Sequence, residues 1–263
     1  MSRLPGGWRR WAIATGVAVA LIVGVVIARP AFRSYTGTAP PDQFFRAVQI
    51  TPSLAARYPA VLGVAHNAGN NLGTLATALR YGADVIEIDV ISAHGRLVAG
   101  REQPWPWLAE HVFRGPTLQQ AWDAAADAPV TKLDLKSSEP SFLAQVVAFL
   151  STRVKDRRVM ISSPDVDALV YLHRELPTVQ LLFSVSHPPA VDTLTSNLAL
   201  QEVISGVSMF AGLVTPSVVR WAHERNLIVI AWTVNDGDEL NRLVALGADG
   251  ITTANLAILS ALR

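Results

Sequence analysis

Glu87 and Asp89 stand two residues apart in the stretch Gly82-Ala83-Asp84-Val85-Ile86-Glu87-Ile88-Asp89-Val90. Side chains alternate along a strand, so Val85, Glu87 and Asp89 share one face and Ile86, Ile88 and Val90 the other. Neighbouring carboxylates repel unless a cation or a lysine lies between them. A second stretch, Lys132-Leu133-Asp134-Leu135-Lys136, has the same logic: the leucines share one face, Asp134 and Lys136 the opposite one. His66 follows Val64 in register at the end of Val64-Ala65-His66, and Trp232 alternates away from the apolar residues of its run. Three carboxylates from two strands make an all-oxygen donor set, which suits Mg²⁺ or Ca²⁺ rather than zinc or copper. A histidine and a lysine beside such an ion could handle a proton and an anionic oxygen, which points to phosphate ester chemistry. Taken singly, each residue has another reading. His66 could be a hydrogen-bonded histidine of the fold, Asp134 and Lys136 a surface ion pair, and Trp232 plain core. What favours chemistry is that all of them fall on one register of several strands. Asp84 belongs to the turn before its strand, and Asp165 and Asp236 read as helix N-terminal residues.

The elements that must position these residues alternate. Strand-like runs rich in Val, Ile and Leu (Val61–Ala65, Val85–Val90, Val130–Leu135, Val159–Ser162, Val179–Ser184, Val203–Ser208, Leu227–Trp232, Gly250–Thr252) are each followed by a helical pattern. The helices are expected at Leu75–Tyr81, Leu118–Ala126, Phe142–Val154, Asp165–Leu176, within Ala190–Glu202, and at Ser217–Glu224, Glu239–Leu246 and Leu256–Leu262. Leu97–Ala99 reads as a short hairpin arm turning about Gly95. About eight β–α pairs in roughly 200 residues have the count and size of an α/β (β/α)₈ TIM barrel. A doubly wound open sheet also alternates, but no Gly-x-Gly-x-x-Gly follows the first strand. In a closed barrel the inward side chains at the C-terminal strand ends face the mouth, and there His66, Glu87, Asp89, Asp134, Lys136 and Trp232 gather.

The 263 residues are half hydrophobic, carry a net charge of +1 and include no cysteine. Thiol nucleophiles and zinc–thiolate sites are excluded. The small charge argues against nucleic acid as a partner. The first acidic residue is Asp42, and Ala12–Ala28 is an apolar run flanked by Arg9, Arg10 and Arg29. Its length, about 17 residues, is at the short end of what spans a bilayer. The expected organisation is an anchor or signal segment over residues 1–29, a linker and lead-in over 30–59, and the barrel over 60–263. An uncleaved transmembrane helix is preferred to a signal peptide because Arg29-Pro30 is a poor cleavage context. The basic residues before the span favour a single-pass membrane chain with the barrel expected on the extracytoplasmic side.

These motifs resemble those of the glycerophosphodiester phosphodiesterase family, a TIM-barrel family. Its His-Arg-Gly, Gly-Ala-Asp-x-Ile-Glu-x-Asp-Val, Glu-x-Lys, Trp-Thr-Val-Asn and Gly-Ala-Asp-Gly-Ile motifs correspond to His66, Gly82–Val90, Asp134-Leu135-Lys136, Trp232–Asn235 and Gly247–Ile251. The resemblance implies hydrolysis of glycerophosphodiesters or related (lyso)phospholipid headgroup esters. It implies a divalent Mg²⁺ or Ca²⁺ ion on Glu87, Asp89 and Asp134, acid/base work by His66, and phosphate binding by Lys136, with Asn67 and Trp232 beside it. The sequence departs from the family in three places. Asn67 stands for the arginine after the first histidine, Asp134 for a glutamate, and Arg101 for the second histidine, with Glu102 after it. Arginine cannot shuttle a proton at ordinary pH but can bind a phosphate oxygen. Arg101 is therefore expected to supply the cation lost at Asn67, with His111 as a substitute donor. The alternative is a catalytically impaired barrel that binds phosphodiesters or lipid headgroups. Sphingomyelinase D-type barrels are a further resemblance, and with them a lysophospholipid or sphingolipid substrate.

Overall fold

The computed structural model of the chain describes residues 61–93, 95–101, 113 and 115–262. The expected membrane segment, the linker, His94, Glu102 and His111 lie outside them. Among the described residues no helix is long and apolar enough to cross a membrane.

The chain begins with β1 (Leu62–Ala65), a 3₁₀ turn (Ala68–Asn70) and α1 (Leu72–Arg80). A hairpin follows, β2 (Val85–Ala93) with β3 (Arg96–Ala99), then α2 (Leu118–Ala124). The middle of the chain is β4 (Val130–Leu135), α3 (Pro140–Leu150), β5 (Arg158–Ser163), α4 (Val166–Glu175), β6 (Gln180–Val185), α5 (Pro188–Ser196) and α6 (Leu198–Val203). It closes with β7 (Gly206–Phe210), α7 (Pro216–His223), β8 (Ile228–Trp232), α8 (Gly237–Leu246), β9 (Gly250–Thr253) and α9 (Leu256–Ala261). The strands lie in the order β1-β9-β8-β7-β6-β5-β4-β2-β3, and a parallel β1–β2 pairing closes the ring. Among the described residues only β3 is an antiparallel strand, so it hangs outside a closed barrel of eight parallel strands. The TIM barrel read from the alternation is the fold observed.

The hairpin explains why β2 runs past the expected Val90. Beyond that residue it pairs with β3 from Val90↔Ala99 to Ala93↔Arg96. α1 starts earlier than expected, at Leu72, and α3 runs over Pro140–Leu150 rather than to Val154. The single helix expected within 190–202 is two helices, because the Asn197 side chain accepts from Leu200 N at 3.0 Å and starts a second one. That second helix ends at Val203, so β7 begins only at Gly206.

Helices start sharply where a polar side chain caps the orphan backbone N–H groups of the first turn. Thr117 and Gln120 form a reciprocal capping box for α2. Asp165 accepts from Ala168 N at 2.9 Å and Asp236 from Glu239 N at 2.9 Å, the roles their positions suggested. Asp84, in the turn before β2, accepts from Gly63 N at 2.8 Å and ties that turn to β1. Two apolar layers hold the barrel. Outward residues such as Ile86, Ile88, Leu133 and Ile161 are buried under the helices. Inside, Val64, Val85, Val130, Met160, Leu182 and Ile230 close the N-terminal half as a plug. Each such side chain, fully buried, contributes about 1.5–3 kcal/mol.

Candidate active site

The inward register that carries the apolar plug continues toward the C-terminal strand ends and changes character. On β2, Val85 is followed by Glu87 and Asp89; on β4, Val130 by Lys132, Asp134 and then Lys136. Register pairs Glu87 with Lys132 and Asp89 with Asp134 across the β2–β4 ladder. The mouth above them is a pocket of about 720 Å³ lined by His66, Glu87, Arg101, Asp134, Lys136 and Trp232 among others. Asp89 forms its floor and is fully buried.

His66 is the first residue after β1, and its backbone N–H donates to Thr253 O at 2.9 Å. Asn67 then adopts a left-handed conformation (φ 54°, ψ 18°), which asparagine tolerates better than most residues. This bend turns the chain into the 3₁₀ segment, which folds back over β2. Gly69 permits the approach, because a Cβ there would overlap the Ile88 side chain. Asn70 is thereby brought onto Asp89: its Nδ2 donates to Asp89 Oδ2 at 2.8 Å, and its Oδ1 accepts from Asp89 N at 2.9 Å. Across the hairpin, Gly100 N donates to Asp89 O at 2.9 Å and sets Arg101 at the rim.

The charges interlock. Lys132, only 2% exposed, donates from Nζ to Glu87 Oε2 at 2.7 Å and to Ser208 Oγ at 3.2 Å. Lys136 Nζ lies 2.9 Å from Asp89 Oδ1 and also donates to Asp134 Oδ2, while Asp134 Oδ1 accepts from Ser162 Oγ. Arg101 makes a long contact from Nε to Asp89 Oδ2 at 3.4 Å and another from Nη2 to His66 Nε2 at 3.3 Å. Oriented by its partners, the Asn67 amide nitrogen donates at 3.0 Å to both Asp89 oxygens and to Glu87 Oε1. Its oxygen accepts from Arg101 Nη2 at 2.6 Å and Nε at 3.1 Å.

Burial pushes the His66 imidazole below its ordinary pKa; Glu87 opposes the shift and Arg101 adds to it. The ring is therefore neutral at neutral pH. Nε2 lies 3.3 Å from Arg101 Nη2 and 3.1 Å from the Asn67 amide oxygen, so it accepts from the first or donates to the second according to the tautomer. Burial would raise the Asp134 carboxyl, but Lys132 and Lys136 outweigh it and hold the group below its usual range. Burial would likewise lower Lys136, yet Asp134 and Asp89 raise it well above an ordinary lysine. Trp232 packs edge-to-face on the half-exposed Phe210, ring centroids 5.8 Å apart, and forms an aromatic wall beside the charged floor.

The model of the "Glycerophosphoryl diester phosphodiesterase family" matches residues 120–257. The chain belongs to this family. A curated glycerophosphodiester phosphodiesterase of Arabidopsis thaliana is 26% identical over 147 residues, which is 54% of this chain and 44% of that protein. The chain thus spans less than half the length of the curated relative it matches. Among solved structures, an Oleispira antarctica phosphodiesterase in complex with the product sn-glycerol-3-phosphate is 20% identical and covers 80% of this chain and 98% of its own, with a TM-score of 0.65. A glycerophosphodiester phosphodiesterase of Parabacteroides distasonis is 18% identical and covers 77% of this chain and 96% of its own, with a TM-score of 0.63. At these identities the likeness is one of fold.

Within this glycerophosphoryl diester phosphodiesterase family barrel, the described residues singled out for the site lie at or under the mouth: His66, Asn67, Glu87, Asp89, Arg101, Asp134, Lys136 and Trp232; His111 and Glu102 lie outside the described residues. Sequence reasoning missed Lys132, Asn70, Ser162 and Ser208. Lys132 was within reach, two residues before Asp134 on the same register. Asn70, Ser162 and Ser208 carry no local signal. The expected metal ligands Glu87, Asp89 and Asp134 do meet, but their oxygens already face lysine, arginine, serine and amide donors. Among the described residues no group of three or more carboxylates or imidazoles is arranged to hold a metal ion. As placed, the donor set does not fit a divalent ion.

Proposed function

We propose that this barrel hydrolyses phosphodiesters of the glycerophosphodiester or lysophospholipid headgroup kind, with His66 as the proton acceptor. The observation that carries the reading is the neutral His66 imidazole in a pocket lined also by Arg101 and Lys136, in a chain of this family. Lys136 spends donors on Asp134 and Asp89 and, with three N–H groups, has one left for a phosphate oxygen. Arg101, more than half exposed at the rim, brings a second cation that can attract a phosphate oxygen. Water held beside Nε2 gives its proton to His66 as its oxygen bonds to phosphorus. The phosphorus–alcohol oxygen bond breaks, and the departing alkoxide takes a proton from solvent. Lys136 holds its protons too tightly to serve as that acid, and Arg101 never releases one at ordinary pH. One titrating group where the family pattern has two histidines supports slow turnover. It also keeps a second reading in view, a barrel that binds the diester without turning it over.

The apolar run Ala12–Ala28, read as a single-pass anchor with the barrel on the extracytoplasmic side, would tether the protein to a membrane, a source of lipid phosphodiesters. The test is alcohol release from glycerophosphocholine and lysophosphatidylcholine by the full chain, with His66→Gln as control. Release by the wild type that falls about 10²–10⁴-fold in the variant supports hydrolysis. Binding without release by either protein supports the second reading.

A further inference from the structure

We propose that Lys132 and Lys136, with Arg101 and the Asn67 amide, take the place of a divalent cation, so that this barrel engages its phosphodiester without a resident metal ion. The inference rests on the phosphodiester reading of the mouth.

The charges alone make the case. Glu87, Asp89 and Asp134 bring three negative charges to one point; Lys132, Lys136 and Arg101 bring three positive ones. These charges balance before any ion enters. Each carboxylate oxygen also has a donor. Glu87 Oε2 has Lys132 at 2.7 Å and Oε1 has the Asn67 amide at 3.0 Å. Asp89 Oδ1 has Lys136 at 2.9 Å and Oδ2 has Asn70 at 2.8 Å. Asp134 Oδ1 and Oδ2 have Ser162 and Lys136. A divalent ion would need several of these oxygens at about 2.0–2.6 Å.

Lys132 is what makes the arrangement hard to displace. A surface lysine could swing aside for an ion. This one is enclosed by the barrel, 2% exposed, with Ser208 fixing its ammonium from the opposite wall. An ion on Glu87 would lie against a buried ammonium already held by Glu87 and Ser208, and the surplus charge would be costly there. The Asn67 amide occupies the remaining gap, with its nitrogen between the Glu87 and Asp89 carboxylates. Its oxygen draws Arg101 inward, so the substitution at 67 and the cation at 101 work as one unit. The job a metal would do on the phosphate, neutralising and orienting an equatorial oxygen, falls to the ammonium of Lys136 and the guanidinium of Arg101.

The experiment titrates the full chain with MgCl₂, CaCl₂ and MnCl₂ by calorimetry and by melting temperature, and repeats the glycerophosphocholine assay in EDTA. The expected result is no saturable heat, a Tm shift below about 1 °C at roughly 10 mM ion, and release or binding of glycerophosphocholine within about twofold of the value without chelator. Saturable uptake of any of the three ions by the wild type, or activity abolished by EDTA and restored by an ion, overturns the proposal. Lys132→Asn removes the buried ammonium, and the folded variant is expected to gain ion binding; a folded variant that gains none overturns the role of Lys132. Should that variant fail to fold, the wild-type titration decides alone. If glycerophosphocholine is neither bound nor cleaved with or without ions, the phosphodiester reading fails. The ion titration still answers this question separately.

Discussion

The two halves of the barrel interior are built on the same strands and the same register, yet they obey different physics. In the N-terminal half, Val64, Val85, Val130, Met160, Leu182 and Ile230 fill the bore with apolar contacts that need no particular partner. Two residues further along, Glu87, Asp89, Lys132 and Ser208 are just as buried, and each is tied to a named atom. An apolar plug tolerates exchange of shape within limits. A buried ionic floor tolerates only exchange of partners, because any one charge left alone is costly. The plug also keeps water from the underside of the floor, so the ion pairs lie in a medium where they are strong and hard to move.

The largest effect should come from splitting the floor's central pair. Lys132→Met leaves the Glu87 carboxylate buried without its cation and is expected to cost about 3–5 kcal/mol in urea unfolding. Lys132→Met combined with Glu87→Gln should recover most of that loss. If the single variant cost no more than Leu182→Ala in the plug, at about 2–5 kcal/mol with no rescue by a second change, the two halves would not differ as argued. A smaller effect concerns the rim. Arg101→His would offer a second titrating group where the arginine holds its protons. Turnover well above wild type would mean that the native site is limited by the missing acid, whereas an unchanged or lower rate would assign Arg101 to holding the phosphate.

Much of this was legible in the sequence because a closed parallel barrel imposes period two. Once Glu87 and Asp89 are assigned inward, Asp134 and Lys136 must follow in the paired strand, and His66 and Trp232 end theirs at the same level. The same rule, carried one step back from Asp134, reaches Lys132. The lysine that repelling carboxylates called for was therefore already in the chain. What alternation cannot show is contact made by the turn after β1. The left-handed bend at Asn67 and the fold-back through Gly69 bring Asn67 and Asn70 onto the carboxylates, and neither position lies on a strand. Ser162 and Ser208 were missed for another reason: serine is common at strand ends, and only closure of the ring sets these two beside Asp134 and Lys132. Helix ends set by capping were legible at Asp165 and Asp236, whereas Asn197, in the middle of an apparently continuous pattern, hid the break between α5 and α6.

The account turns on His66 acting as a neutral base, and the pH dependence of kcat/KM for glycerophosphocholine tests that most directly. Burial holds the His66 imidazole below 6.5, so the group is already deprotonated, and competent to accept a proton, at neutral pH. The expected profile rises with pH along one limb whose midpoint lies below 6.5, then stays level through neutral and mildly alkaline pH, since Lys136 titrates far above that range. The rising limb should be absent from whatever rate His66→Gln retains. A profile that falls through the same range, or one that His66→Gln leaves unchanged, would contradict a base at this position.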